Sequence, residues 1–252
     1  MDPMAEPINI CICVPSLWDA RAPEERAEIL RKFRDLDERI QFQAAAYVDS
    51  IDIRAVRGQG RRDEARGKVA PPTPDLRAAL AEAHIILAID LPFDMDVLAP
   101  NLRWVQSIGA GVGQLQTCGL EKNNVLLTSG AGIASDPIAE FVLARILSHW
   151  KLFSLYDQMQ KERRWEPTYG RNLAGSTIGI VGFGAIGSAI AWRAKAWGMR
   201  VLATRRHLPA GFADPAVDRF YPPSDLKEML ASADAVALCA PETPETYQMF
   251  NA

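Results

Sequence analysis

The stretch with the clearest chemical content is STIGIVGFGAIGSAIAWRAKAWGMRVLATRR, residues 176–206. An apolar run at 177–182 leads into Gly182-x-Gly184-x-x-Gly187. A helical pattern follows at once, and a second apolar run comes at 200–204. In such a strand–turn–helix unit the first glycine permits the tight turn and the second lets the backbone approach a pyrophosphate. The third lets the helix pack on the strand. The free N–H groups at the helix start, around Ala185 and Ile186, then face the anion. A lone motif of this kind is weak. With strand, helix and second strand all in place, a dinucleotide site outweighs a ligand-free glycine turn.

The end of the second strand sharpens this expectation. A site for NAD(H) carries an acid about 20 residues on, which bonds the ribose 2′-hydroxyl. Here the strand closes on Thr204, and Arg205 and Arg206 follow. A carboxylate would repel a 2′-phosphate, whereas guanidinium groups attract one and bind it in bidentate fashion. The pair therefore predicts a preference for NADP(H). The alternative is an NAD(H) site with two solvated arginines beside it.

These residues need a scaffold. The chain has 252 residues, 48% of them apolar and 23% charged, which suits two soluble α/β domains. The net charge is −3, from 28 basic and 31 acidic residues, too even a balance for a nucleic-acid or membrane-surface partner. No apolar run approaches the roughly 20 residues of a membrane span. The N-terminus has no basic leader, and a cytoplasmic location is expected. Cys11, Cys13, Cys118 and Cys239 lack metal spacing and are expected as reduced, mostly buried thiols; no metal is expected.

Strands are predicted at 8–14, 42–48, 84–90, 102–108 and 124–129. Helices are predicted at 23–36, with Ile29, Leu30, Phe33 and Leu36 on one face, and at 75–83. Strands alternating with helices imply a parallel sheet. Residues 54–74 hold six basic and two acidic residues among Gly and Pro and are expected as a solvated loop. Residues 135–165 are expected to open as one long helix, capped by Asp136, with Pro137 in the first helical position. Its inner face is expected to hold Ile138, Phe141, Val142, Ile146, Trp150 and Phe153. The domain boundary is placed here, giving 1–134 and 135–252. In the second domain strands are expected at 177–182, 200–204, about 217–221 and 235–239.

Four blocks in order resemble the D-isomer-specific 2-hydroxyacid dehydrogenases. They are LRWVQSIGAGVGQL, TSGAGIASDPIAEFVLARIL, LAGSTIGIVGFGAIG with Trp165 ahead of it, and DLKEMLASADAVALCAPETPETYQMFNA with Pro241, Thr243 and Thr246. The arginine pair resembles the glyoxylate and hydroxypyruvate reductase branch. The resemblance implies a flavodoxin-like substrate domain followed by a Rossmann doubly wound parallel-sheet cofactor domain. It implies hydride transfer between a nicotinamide and a small 2-keto or 2-hydroxy acid. It implies that the backbone N–H groups of Gly109, Ala110 and Gly111 hold the substrate carboxylate, that the loop of Pro241 and Thr246 passes the cofactor's ribose, and that the parent forms a homodimer through the long helix. Gly113 departs from the family, whose members often have Asp there.

The resemblance also implies a catalytic arginine, an acid and a histidine beyond Ala252, so no catalytic residue is expected among His84, His149 and His207. With two strands of the doubly wound sheet also expected beyond that point, the cofactor domain is expected to be incomplete and the chain by itself inactive. A non-enzymatic dinucleotide-binding sensor or scaffold is the alternative. Within the enzyme class it is a phosphoglycerate dehydrogenase.

Overall fold

The computed structural model of the chain describes residues 6–14, 20–241, 243 and 245–251. Proximity of Cα atoms divides them into two compact units, the first running to Gly130 and the second opening at Ala131.

The first unit is built on five parallel strands: β1 (Ile8–Ile12), β2 (Ile40–Ala44), β3 (Ile85–Ala88), β4 (Trp104–Ser107) and β5 (Leu126–Thr128). Their order is β2-β1-β3-β4-β5, the flavodoxin-type winding. Alternation along the strands sends Cys11, Cys13, Ile86, Ala88 and Val105 into a core. There they meet Leu76, Ala79 and Leu80 of a helix at Pro74–Glu82. That helix begins where its sequence says it should. The Thr73 hydroxyl accepts the Leu76 N–H at 3.2 Å, and Pro74 stands in the first turn.

The other face of the sheet is covered differently from expectation. The first helix, α1 (Pro23–Leu36), buries none of its residues fully, and Leu36 is 79% exposed. Phe33 instead meets Phe42 of β2 edge-on, with ring centroids 5.2 Å apart. Strand β2 also pairs for a shorter span than expected. Beyond Ala44 the chain only touches its neighbour, through Ala45 N–H to Ile12 O and Tyr47 N–H to Cys13 O.

The charged run at 54–74 is not a solvated loop. It contributes to two helices, α2 (Ile51–Gly58) and α3 (Arg62–Arg66), the first capped by the Ser50 hydroxyl on the Ile53 N–H. Arg57 is fully buried and ion-paired with Asp49. Its remaining donors reach Leu91 O at 2.7 Å, Cys118 Sγ at 2.8 Å and Thr117 Oγ1 at 3.2 Å. Its guanidinium carbon lies 4.5 Å from the Phe93 ring centroid. One turn earlier, Arg54 forks onto both oxygens of the buried Asp90, at 2.9 and 2.6 Å. A buried charge is tolerable only when paired and hydrogen-bonded, and Arg57 meets both conditions. The helices between Arg66 and β5 are α4 (Pro74–Glu82, above), α5 (Met95–Leu98) and α6 (Gly113–Gln116).

The second unit opens with α7 (Ser135–Trp150) and α8 (Phe153–Lys161), which correct the single long helix. Leu152 takes a left-handed conformation, φ 58°, and breaks the run. Asp136 does not cap α7; it lies in the first turn and pairs with Arg193 at 3.0 Å, while Pro137 is the third helical residue. The inward face differs in part. Ala139 and Leu143 are buried against Ile190, Ala191 and Ala194, and Phe141 is 66% exposed. Val142, Ile146 and Trp150 of the expected face pack against this core, whereas Ile138, Phe141 and Phe153 are exposed.

The four strands of this unit are β6 (Thr177–Val181), β7 (Arg200–Thr204), β8 (Arg219–Tyr221) and β9 (Ala235–Leu238). All are parallel, in the order β8-β7-β6-β9. Helix α9 (Ala185–Ala196) links β6 to β7, and α10 (Leu226–Ala231) precedes β9. Numbered within the unit, the order is 3-2-1-4, as the doubly wound fold requires. Strand β6 is buried along its whole length. The winding turns both ways from it, which opens a crevice beyond its carboxyl end. At the opposite end two carboxylates tie the strands down. Asp234 accepts the Thr177 N–H at 2.7 Å and pairs with Arg171; Asp218 accepts the Val201 N–H at 2.8 Å and pairs with Lys195. Among the described residues no helix is long and apolar enough to cross a membrane.

Candidate functional site

The carboxyl end of β6 carries the glycine loop, and each glycine has a distinct local reason. Gly182 has φ +98°, and a Cβ there would lie 2.6 Å from Ala240 N. A side chain would be strained and would push the chain leaving β9 away. Gly187 sits in the first turn of α9. A Cβ there would meet Gly182 O at 2.5 Å and Ile180 Cγ2 at 3.0 Å, so its absence sets how closely helix packs on strand. Gly184 faces open space, with nothing within 4 Å of a would-be Cβ, and forms the N-cap of α9 without a side-chain hydrogen bond. The first-turn N–H groups of Ala185, Ile186 and Gly187 have no carbonyl one turn back within the helix, and the helix dipole adds partial positive charge there.

Thr204 closes β7 beneath this loop. It is buried, its hydroxyl accepts the Gly182 N–H at 3.3 Å, and its carbonyl accepts the Phe183 N–H at 2.9 Å. It fixes the loop from below rather than lining open space. Arg205 follows, with its guanidinium carbon 4.7 Å from the Phe212 ring centroid, and Arg206 is exposed. Pro241 is exposed, and its carbonyl accepts the Thr246 hydroxyl at 2.7 Å, closing the loop between them. Cys239, which precedes this loop, donates its N–H to Val181 O; burial pushes its thiol above the ordinary value.

In the first unit the turn Gly109–Ala110–Gly111 leaves the carboxyl end of β4. Ser107, which sequence reasoning passed over, organises it. Its hydroxyl accepts the Gly109 N–H and donates to Gly109 O, both at 3.2 Å. Gly130 N–H adds a third bond to Gly109 O at 2.9 Å. The Gly109 N–H, expected to help hold a substrate carboxylate, is engaged inside the turn. The N–H groups of Ala110 and Gly111 have no acceptor among the described residues. Helix α6 follows directly and rests on α2, where a Cβ on Gly113 would meet Gly58 Cα and Gly58 O at 3.2 Å each. Thr117 and Cys118, just past α6, are two of the groups Arg57 holds, and burial pushes the Cys118 thiol up to about 12.

Among the described residues, none of the three histidines makes a hydrogen bond to the loop of its own unit. His84 accepts the Asn9 N–H on Nδ1 at 3.0 Å and bridges β1 and β3, a structural use. His149 is exposed near the end of α7, and His207 is exposed after the arginine pair. Among the described residues no cluster of His, Cys, Asp or Glu could hold a metal ion.

Residues 143–252 match the profile of the D-isomer specific 2-hydroxyacid dehydrogenase, NAD binding domain. The chain is 30% identical over 193 residues to a glyoxylate reductase of Korarchaeum cryptofilum, covering 72% of this chain and 57% of that protein. It is 29% identical over 205 residues to a D-3-phosphoglycerate dehydrogenase of Mycobacterium tuberculosis, covering 79% of this chain and 38% of that protein. The chain thus spans less than two thirds of the length of these relatives. Its structure superposes on that of a D-isomer specific 2-hydroxyacid dehydrogenase family protein from Aeromonas salmonicida with a TM-score of 0.66 at 25% identity, covering 97% of this chain and 67% of that one. A parallel glycine-loop sheet, a matched cofactor domain and relatives of one kind converge, and the chain belongs to the D-isomer specific 2-hydroxyacid dehydrogenase family.

Proposed function

We propose that this chain provides the cofactor cradle and the carboxylate-holding turn of an enzyme that interconverts a small 2-keto acid, of the glyoxylate or hydroxypyruvate class, with its 2-hydroxy acid, using NADP(H) in preference to NAD(H). The observation that carries the reading is the pair Arg205–Arg206 directly after β7, on the strand beside the glycine loop.

The residues fit a dinucleotide. Gly184 leaves room where a Cβ would intrude, and the first turn of α9 offers N–H groups to a pyrophosphate. A bound nicotinamide would supply or accept the hydride. Arg205 and Arg206 bind the ribose 2′-phosphate, Thr204 holds the loop that cradles the pyrophosphate, and the Pro241–Thr246 loop borders the ribose. The Ala110 and Gly111 N–H groups hold the substrate carboxylate, with Ser107 fixing their direction through Gly109. Backbone donors suit this work because they are oriented before the anion arrives.

Calorimetric titration of the chain with NADPH and with NADH tests the cofactor assignment. A charge-assisted hydrogen bond contributes about 1.5–3 kcal/mol, so NADPH should bind roughly tenfold or more tightly than NADH. Arg205→Asp should reverse the preference. An unchanged preference in that variant would refute the assignment.

A further inference from the structure

We propose that Phe212 is a positioning residue for cofactor choice: it holds the Arg205 guanidinium ready for the 2′-phosphate through an aromatic ladder that begins in the phosphate loop itself. The proposal rests on the reading of Arg205 given above and concerns what makes that arginine effective.

The ladder has three rings. Phe183, inside the glycine loop and 8% exposed, meets Phe220 edge-on at 5.0 Å and 84°. Phe220 lies on β8, paired with Ala203 of β7, and meets Phe212 edge-on at 5.2 Å and 67°. Phe212 is delivered by a turn in which its N–H reaches Pro209 O at 3.0 Å, and its ring carries Arg205. Edge-to-face contacts at these separations are favourable and directional, so the outermost ring is fixed by the inner two. The backbone that carries the inner ring is held by the Phe183 N–H bond to Thr204 O, and the residue is 8% exposed.

An arginine that clamps a phosphate gives up much of its rotamer freedom. Stacking removes part of that freedom beforehand, which is what preorganisation means for affinity. The Arg205 guanidinium carbon lies over the ring at 4.7 Å from its centroid. The five N–H donors of a guanidinium lie in the plane of the group and remain available for bidentate contact. Arg206 has no ring or hydrogen-bond partner among the described residues, so it contributes charge without a fixed direction. The position that governs cofactor choice is therefore shared between Arg205 and a side chain seven residues downstream.

Titration of the full chain and of Phe212→Leu and Phe212→Trp with NADPH, NADH and adenosine 2′,5′-bisphosphate tests this. Phe212→Leu keeps apolar bulk and removes the aromatic face. It should lose roughly three- to fivefold in affinity for the two 2′-phosphorylated probes and leave NADH unchanged. Phe212→Trp should restore the wild-type values. Equal losses for NADPH and NADH in Phe212→Leu, no loss at all, or no restoration by tryptophan would each overturn the proposal. If the wild-type chain fails to bind NADPH more tightly than NADH, the Arg205 reading falls and this proposal falls with it. If the wild type discriminates and Phe212→Leu discriminates to the same degree, only the role of Phe212 is lost.

Discussion

Replacing Arg57 by methionine should destabilise the first unit severely, although the position stands in a charged, glycine-containing stretch. The substitution removes the positive charge from a fully buried site and leaves most of the stem's volume. Asp49, whose side chain is 4% exposed, then keeps only the Tyr47 hydroxyl, at 3.0 Å, on its carboxylate. Leu91 O and Thr117 Oγ1 each lose a donor. Removing one partner of a buried ion pair costs about 3–5 kcal/mol, a large part of the roughly 5–15 kcal/mol that holds a domain folded. For a unit of this size that corresponds to a fall in melting temperature of roughly 10–20 °C. Scanning calorimetry can follow the loss, with the second unit, identified by its shift on adding NADPH, as internal reference. Arg57→Met combined with Asp49→Leu removes both charges and should recover more than half of the loss. A single variant that melts within about 2 °C of wild type would refute the reasoning. So would a double variant no better than the single one.

Two further outcomes follow from the second unit. Gly187→Ala should lower its melting temperature by several degrees and weaken NADPH binding, because the added Cβ meets Gly182 O at 2.5 Å; Gly184→Ala should melt like wild type yet lose NADPH affinity, since its Cβ meets only open space. Calorimetry and titration on both variants separate the two effects, and an unchanged Gly187→Ala protein would contradict the packing described. Asp218 and Asp234 titrate below the ordinary carboxyl value of 3.8, the first held down by Lys195 and the Val201 N–H, the second by Arg171 and the Thr177 N–H. A depressed folded value contributes stability that is complete above the unfolded value and disappears as the pH falls through the folded one. The second unit's melting temperature should therefore hold down to about pH 5 and drop below about pH 4, less steeply in Asp218→Asn, as melts across that range would show.

The glycine loop was legible in the sequence because its requirements are local. The φ of Gly182, the clearance at Gly184 and the close packing of Gly187 all arise within a dozen residues of one another, so the spacing of three glycines states them in advance. The winding of both sheets was legible for a related reason: short apolar runs separated by helical stretches leave few parallel arrangements. Arg57 was not legible. It stands in a stretch with Arg54, Gly58, Gln59 and Arg61, which read as solvent-facing, and the groups that make it a core residue lie 34 and 61 residues away. The break at Leu152 carries no glycine or proline to announce it. The inner face of α7 was legible in part: Val142, Ile146 and Trp150 pack inward as their spacing suggests, whereas Phe141 and Ile138 turn outward and Ala139 and Leu143 meet α9. The Ser107 contact was within reach, since a serine two residues ahead of a glycine turn often bonds back to the turn's backbone.

The contact between Gly113 and Gly58 has a consequence for how such a chain can change over generations. A side chain at 113 would press on the Gly58 backbone at 3.2 Å, whereas one at 58 would meet nothing within 4 Å, so the constraint runs one way across the 55 residues that separate them. A larger residue at 113 requires α2 to give by a few tenths of an ångström. That movement of α2 would bear on Arg57, which stands next to Gly58 and anchors the residues just past α6. A substrate turn exchanged from a relative with a larger residue at 113 would transplant more cleanly if the segment at 51–66 travelled with it.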